Sequence, residues 1–420
     1  MDLNSNVKKP NGTFAYALMM GLFYMTINAV LGMAVVYLSS VGFTNTFIGV
    51  VIAVCSFIAS FLVIPLGSVT DKSRKYDVHH VLMLCVLCMV VAAALIMLGL
   101  RTGAAVIFLF GFLMTVVSMN SPLLNALGMH FENRGIYLNF GAARGFGSAM
   151  YAVASVIISR LAKEEVLGPG VIPVSILILN AAFFAVLFLF GNADRYTKKK
   201  DGNPGEASAS EMPADAAKAG KSLGTFAFMK KYPWLVFFVV AMVVLFIPYN
   251  TLANYMIVVV EPMGGDVGAM GWVLGLGAVF EIPTMFLFSK LKSFFKGGSL
   301  IIFAGIFFTV KTVATWGAFL SGNVYLLYAT QFFQMLSYAL IVPAAVYFGN
   351  ELVDKENEVQ SQSFIGFSII MGSVLGSILG GYLSDEFSVS VMLAVISVIS
   401  AVGSVLIFIS VKMCEKHVVK

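Results

Sequence analysis

The sequence predicts an all-α membrane protein of twelve transmembrane helices. Three observations carry that prediction: the bulk apolarity of the chain, the length of its apolar runs, and the placement of lysine and arginine. Of 420 residues, 59% are hydrophobic and 11% charged, and the mean hydropathy is +0.93. A soluble domain carries about 25% charged residues and at most about 50% apolar ones. With so few polar side chains, a water-facing surface could not be covered. The solvent for most of this chain is lipid.

The second observation sets the element type. A helix needs about 20 apolar residues to cross a roughly 30 Å hydrocarbon core. Runs of that length fall at residues 13–39, 44–69, 79–100, 103–126, 141–162 and 170–191, and then at 232–258, 267–292, 297–320, 322–348, 361–384 and 387–413. Backbone polar groups in lipid must pair within a helix or around a closed barrel. The runs lack the alternation of barrel strands, so they are read as helices. Residues 1–12 are polar and the first apolar run is too long for a signal sequence, so no cleavable leader is expected.

The third observation gives the orientation, because cytoplasmic loops are enriched in lysine and arginine. Placing residue 1 inside puts Lys8, Lys9, Lys72, Arg74, Lys75, Arg134, Lys290, Lys292, Lys296, Lys355 and Lys412 on the cytoplasmic side, with the cluster from Arg195 to Lys231. The outer loops then hold only Arg101, Arg160 and Lys163. Both termini are expected in the cytoplasm and the protein in the plasma membrane. The net charge of +5 reports this topology, and no nucleic-acid partner is expected.

The hydrophilic stretch 192–231 divides the chain into a six-helix bundle over 1–191 and another over 232–420. Within it, Gly202 to Ala219 is rich in Gly, Ala, Pro, Ser and acidic residues, a composition that need not order. Two pseudo-symmetric halves are expected. Glycine and serine runs in span five (Gly145 to Ser148) and span eleven (Gly372 to Ser377) let helix backbones approach closely.

Catalytic chemistry lacks its parts. Cys55, Cys85, Cys88 and Cys414 show no metal or disulfide spacing, and His79, His80, His130 and His417 form no cluster with acids. No nucleophile has an evident base, and no cofactor is expected. The chain is read as a non-enzyme whose partners are the bilayer, a small-molecule substrate and protons, acting as a monomer.

Function is sought where polarity persists inside the spans, since a charge at the bilayer centre costs at least about 2.5–3.5 kcal/mol. Glu281 lies near the middle of span eight, Lys311 mid-way along span nine and Arg144 near the cytoplasmic end of span five. Adjacent helices could bring Glu281 and Lys311 together. A buried carboxyl group favours its neutral form and a nearby cation its ionised form, so a change in their separation would move a proton. Glu281, Lys311 and Gln331 are therefore the coupling candidates. Uncharged polar groups recur in spans one, four, seven and ten: Asn28, Asn125, Asn250, Asn254, and Gln331 with Gln334. Such amides can bind sugar or nucleoside hydroxyls, or tie helices together.

Two stretches resemble a known group. The loop from Gly67 to Lys75, with Gly67, Asp71, Lys72 and Arg74 in place, resembles the conformational signature of the major facilitator superfamily, although one glycine is missing and the loop is one residue shorter. Residues 140–151 resemble the fifth-helix segment of lactose permease and its oligosaccharide and nucleoside symporter relatives. That resemblance implies two six-helix bundles rocking about a midplane site. It implies that Arg144 grips substrate hydroxyls, that Tyr151 stacks on the substrate ring, and that Lys311 and Glu281 serve proton coupling. It also places the amides of spans one, four, seven and ten on the cavity. There are departures. Asn125 and Ala126 replace the fourth-helix glutamate, Gln334 and Ser337 replace the tenth-helix histidine and glutamate, and Asn250 and Asn254 stand where the seventh helix carries acids. These point away from galactosides and leave proton coupling to Glu281. The expectation is proton-coupled import of a sugar, oligosaccharide or nucleoside. The alternative, export of amphipathic compounds, draws on the chain's 23 Met and 37 Phe.

Overall fold

The computed structural model describes residues 10–72, 78–99, 103–197 and 225–416. It is helical, and among the described residues twelve helices are long and apolar enough to cross a membrane. They run from Thr13–Gly32 to Val389–Cys414, each overlapping one of the runs read from the sequence. In the loop signature, Gly67 lies in a helix, while Arg74 and the side chains of Asp71 and Lys72 lie outside the described residues.

The chain forms two compact units, residues 1–42 with 55–203 and residues 43–54 with 204–420. The second unit thus takes in a segment, 43–54, that the expected boundaries leave in the first bundle. Polar anchoring explains why. The Asp385 carboxylate accepts from the Thr46 backbone N–H at 2.6 Å and from Asn45 Nδ2 at 2.9 Å. The Tyr255 hydroxyl donates to the Asn45 and Ser377 carbonyls.

In the first unit, spans one and five pack face to face through glycine. A Cβ on Gly147 would stand 2.6 Å from the Tyr24 ring, and one on Gly21 would stand 2.8 Å from Phe146. Span five starts on Asn139, whose side chain accepts from the Ala142 N–H. Span one is not one continuous α-helix. It opens into a π-helical turn over Asn28–Gly32, closed by Met33 N–H donating to the Asn28 carbonyl at 3.0 Å, and resumes at Ala34–Ser40.

In the second unit, span seven packs on spans eleven and twelve. Gly372, Gly376 and Gly380 face Phe246, Thr251 and Tyr255, and Gly403 faces Leu245. A Cβ on Gly372 would lie 2.5 Å from Phe246 Cβ and 3.0 Å from its carbonyl carbon. Gly372→Leu should therefore lower the melting temperature of detergent-solubilised protein, because overpacking costs about 1–3 kcal/mol. Gly366→Ala, where an added carbon meets nothing within 4 Å, should leave it unchanged. Equal melting of the two variants would contradict this packing.

The single run expected over 322–348 is broken into three helical pieces, Val324–Thr330, Phe333–Leu336 and Tyr338–Glu351. Local competition for carbonyls accounts for the first break. Thr330 Oγ1 and Gln331 Nε2 both donate to the Leu327 carbonyl, while the N–H groups of Gln331 and Phe332 fall back on Tyr328 and Ala329 three residues earlier. At the second break, Ser337 takes φ −107° and ψ −92°.

Candidate functional site

The second unit carries a buried chain of polar groups at the broken stretch of span ten. Lys311 Nζ donates to Gln334 Oε1 at 2.5 Å, and Gln334 Nε2 donates to Glu281 Oε1 at 2.8 Å. Glu281 is 8% exposed and Gln334 5%. The orientation of the amide follows from the lysine. An ammonium has donors only, so it must receive the amide oxygen, which turns the amide nitrogen toward the carboxylate. Glu281 and Lys311 were expected to meet across adjacent spans; Gln334 joins them.

The other amides of this unit go elsewhere. Gln331, the neighbour expected in the coupling group, spends its nitrogen on Leu327 and Thr330 Oγ1. Its oxygen lies 3.4 Å from where a Cβ on Gly277 would stand, so glycine lets span eight approach. Asn250 bonds back to the Phe246 carbonyl of its own helix, and Asn254 donates to Ser377 Oγ of span eleven at 2.8 Å. Both are helix-to-backbone or helix-to-helix ties of the kind polar residues form in membranes.

Sequence reasoning did not single out the groups that frame the polar chain. One turn after Glu281, Thr284 Oγ1 donates to the Met335 carbonyl at 2.9 Å and ties span eight to the break. Four residues after Gln334, Tyr338 stacks on Tyr249 with ring centres 4.4 Å apart and planes at 4°. Phe308, three residues before Lys311, meets Tyr249 edge-on. The available signal was spacing: residues three or four from a buried polar group share its helix face.

In the first unit, Arg144, Ser148 and Tyr151 follow one another along one face of span five. Arg144 donates from Nη1 to Ser148 Oγ at 3.0 Å, and its guanidinium lies 4.3 Å from the centre of the Tyr24 ring of span one. Tyr24, unremarked in the sequence, is thus the platform of the arginine. A Cβ on Gly32 would stand 3.0 Å from Asn28 Nδ2 and 3.4 Å from the Tyr151 hydroxyl. Asn28 is fully buried, and neither atom of its amide has a hydrogen-bond partner. An uncompensated buried amide costs about 1–3 kcal/mol, so this one marks a position kept against stability. Asn125 of span four is exposed, whereas Asn120 is buried and donates to Met89 Sδ.

The profile of the MFS_1 like family matches residues 14–395. The chain belongs to this family. It is an MFS transporter, a multi-pass membrane protein that binds small-molecule substrates and is not an enzyme. Two solved structures share the MFS fold. The nucleoside transporter NupG aligns over 96% of this chain and 99% of its own, with 14% identity and a TM-score of 0.75. A bacterial homolog of the human lysosomal transporter Spinster, inward-facing and unoccupied, aligns over 97% and 98% with 12% identity and a TM-score of 0.68. At such identities the likeness establishes the fold. No curated protein matches the chain.

Proposed function

We propose that this MFS transporter imports a small polyhydroxylated solute, a sugar or a nucleoside, together with protons across the plasma membrane. Both termini face the cytoplasm and the monomer is the working unit. The observation that carries this reading is the Lys311–Gln334–Glu281 chain. An acid, a base and a connecting amide sit inside the spans, where ionisable groups are rare and mark candidate functional sites. They stand at a break in span ten, and discontinuous helices are where carriers build their ion and substrate sites. In the first unit, Arg144 and the unsatisfied Asn28 supply donors and an acceptor for hydroxyl groups, and Tyr151 a ring face. The nucleoside named for one fold neighbour puts uridine in the first panel, and the resemblance of residues 140–151 puts lactose and melibiose beside it.

The test is uptake into proteoliposomes with an imposed pH gradient, inside alkaline. Accumulation of uridine or of a disaccharide above the external concentration is the expected result, and a protonophore should abolish it. Uptake that ignores the pH gradient would remove proton coupling. A response confined to amphipathic cations, moving outward, would replace import by export.

A further inference from the structure

The turn between spans eight and nine holds a cleft whose lining shares no residue with the polar groups described above. Its volume is about 670 Å³, and Lys292, Lys296, Gly297, Gly298, Glu351 and Glu415 line it. Glycine makes the floor possible: a Cβ on Gly298 would come within 2.8 Å of Val411 and 3.0 Å of the Glu415 carboxylate. The lining holds two cations and two acids, and one of the cations is held in place. Lys292 Nζ stands 3.4 Å from the centre of the Tyr347 ring, and that ring stacks on Phe288. Glu415 already pairs with Lys412 at 2.8 Å, which leaves Glu351 as the acid on the wall. Phe294 and Phe295 also line the cleft and are 72% and 54% exposed.

We propose that this turn binds phosphatidylglycerol, an anionic phospholipid with a hydroxylated headgroup. The lysines would take the phosphodiester, and the Glu351 carboxylate would accept from the headgroup hydroxyls. The exposed rings of Phe294 and Phe295 would meet the start of the acyl chains, as aromatic residues do at a membrane interface. Charge decides among lipids. With Glu415 paired to Lys412, the lining sets Lys292 and Lys296 against Glu351 alone, so the cleft favours a net anion over a zwitterion. A free phosphate has no chains to meet the two phenylalanines.

Spin-labelled phosphatidylglycerol, phosphatidylethanolamine and phosphatidylcholine, each added to protein in phosphatidylcholine vesicles, test this through the motionally restricted lipid fraction. Phosphatidylglycerol should be retained over both others. Lys292→Gln and Lys296→Gln should each lower that preference about fivefold, while Lys292→Arg should keep it and Lys163→Gln should not alter it. Equal retention of the three lipids would overturn the site. So would a preference for phosphatidylethanolamine, or a phosphatidylglycerol preference untouched in the Lys292→Gln/Lys296→Gln double variant. Loss of the preference in millimolar inorganic phosphate at constant ionic strength would show a free-anion site and overturn the lipid assignment.

Discussion

Glu281→Gln is expected to abolish accumulation against a gradient while leaving solute exchange intact. The substitution keeps the shape of the side chain, and its amide oxygen can still accept from Gln334 Nε2, the bond that Glu281 Oε1 makes now. It removes the group able to alternate between charged and neutral forms. A carrier that cannot take up and release its proton still binds solute and still reorients with solute bound, so counterflow survives. Net uphill transport does not, and the internal-to-external ratio should fall to about one. Proteoliposomes with and without a pH gradient measure the first quantity, and counterflow with preloaded solute measures the second. Unchanged uphill uptake would refute the role of Glu281. Loss of both activities with an intact melting profile would place Glu281 in solute binding.

Arg144→Lys should weaken solute binding about 10- to 100-fold. A guanidinium offers a planar fork of donors and stacks on aromatic rings, whereas lysine offers a single compact charge. Here the guanidinium lies over Tyr24 and one arm donates to Ser148, two contacts that orient the fork and that lysine cannot reproduce together. Hydrogen bonds to charged groups contribute about 1.5–3 kcal/mol, and that sets the expected range. Binding is read by the thermal shift of purified protein with uridine and lactose, since a ligand stabilises the state it binds. Wild-type affinity in Arg144→Lys would make the arginine a brace between spans one and five.

Much of the fold was legible because lipid leaves a chain few choices. Apolar runs of about 20 residues must be helices, so span count and approximate bounds followed from composition and run length alone. The glycines of span eleven were legible as packing residues, and the structure sets them against Phe246, Thr251 and Tyr255. The interruptions were not. The two breaks in span ten arise where side chains and neighbouring N–H groups compete for the Leu327 and Phe333 carbonyls, and span one opens into its π-helical turn within an apolar run. Hydropathy is blind to that competition.

The candidate site divides the same way. That Glu281, Lys311 and Arg144 are unusual was readable residue by residue, because the cost of burying a charge depends on residue type and depth. Which amide serves them was not. Gln331 and Gln334 are three residues apart in one helix and look equivalent in sequence. The break between them turns Gln334 toward Lys311 and Glu281 and leaves Gln331 on its own backbone. Likewise Asn254 spends itself on Ser377, and Tyr24, Tyr249 and Tyr338 emerge as the rings beside the polar groups.

By itself, then, the sequence determined the solvent, the element type, the number of spans and the identity of the charges inside them. Those are properties of single residues and runs measured against lipid. The tertiary structure alone decided the pairing: the lysine linked to the carboxylate through one glutamine, the arginine laid on one tyrosine, and residues 43–54 anchored to Asp385 in the second unit. Pairing depends on hydrogen-bond geometry over a few ångströms between residues far apart in the chain, and no local pattern encodes it.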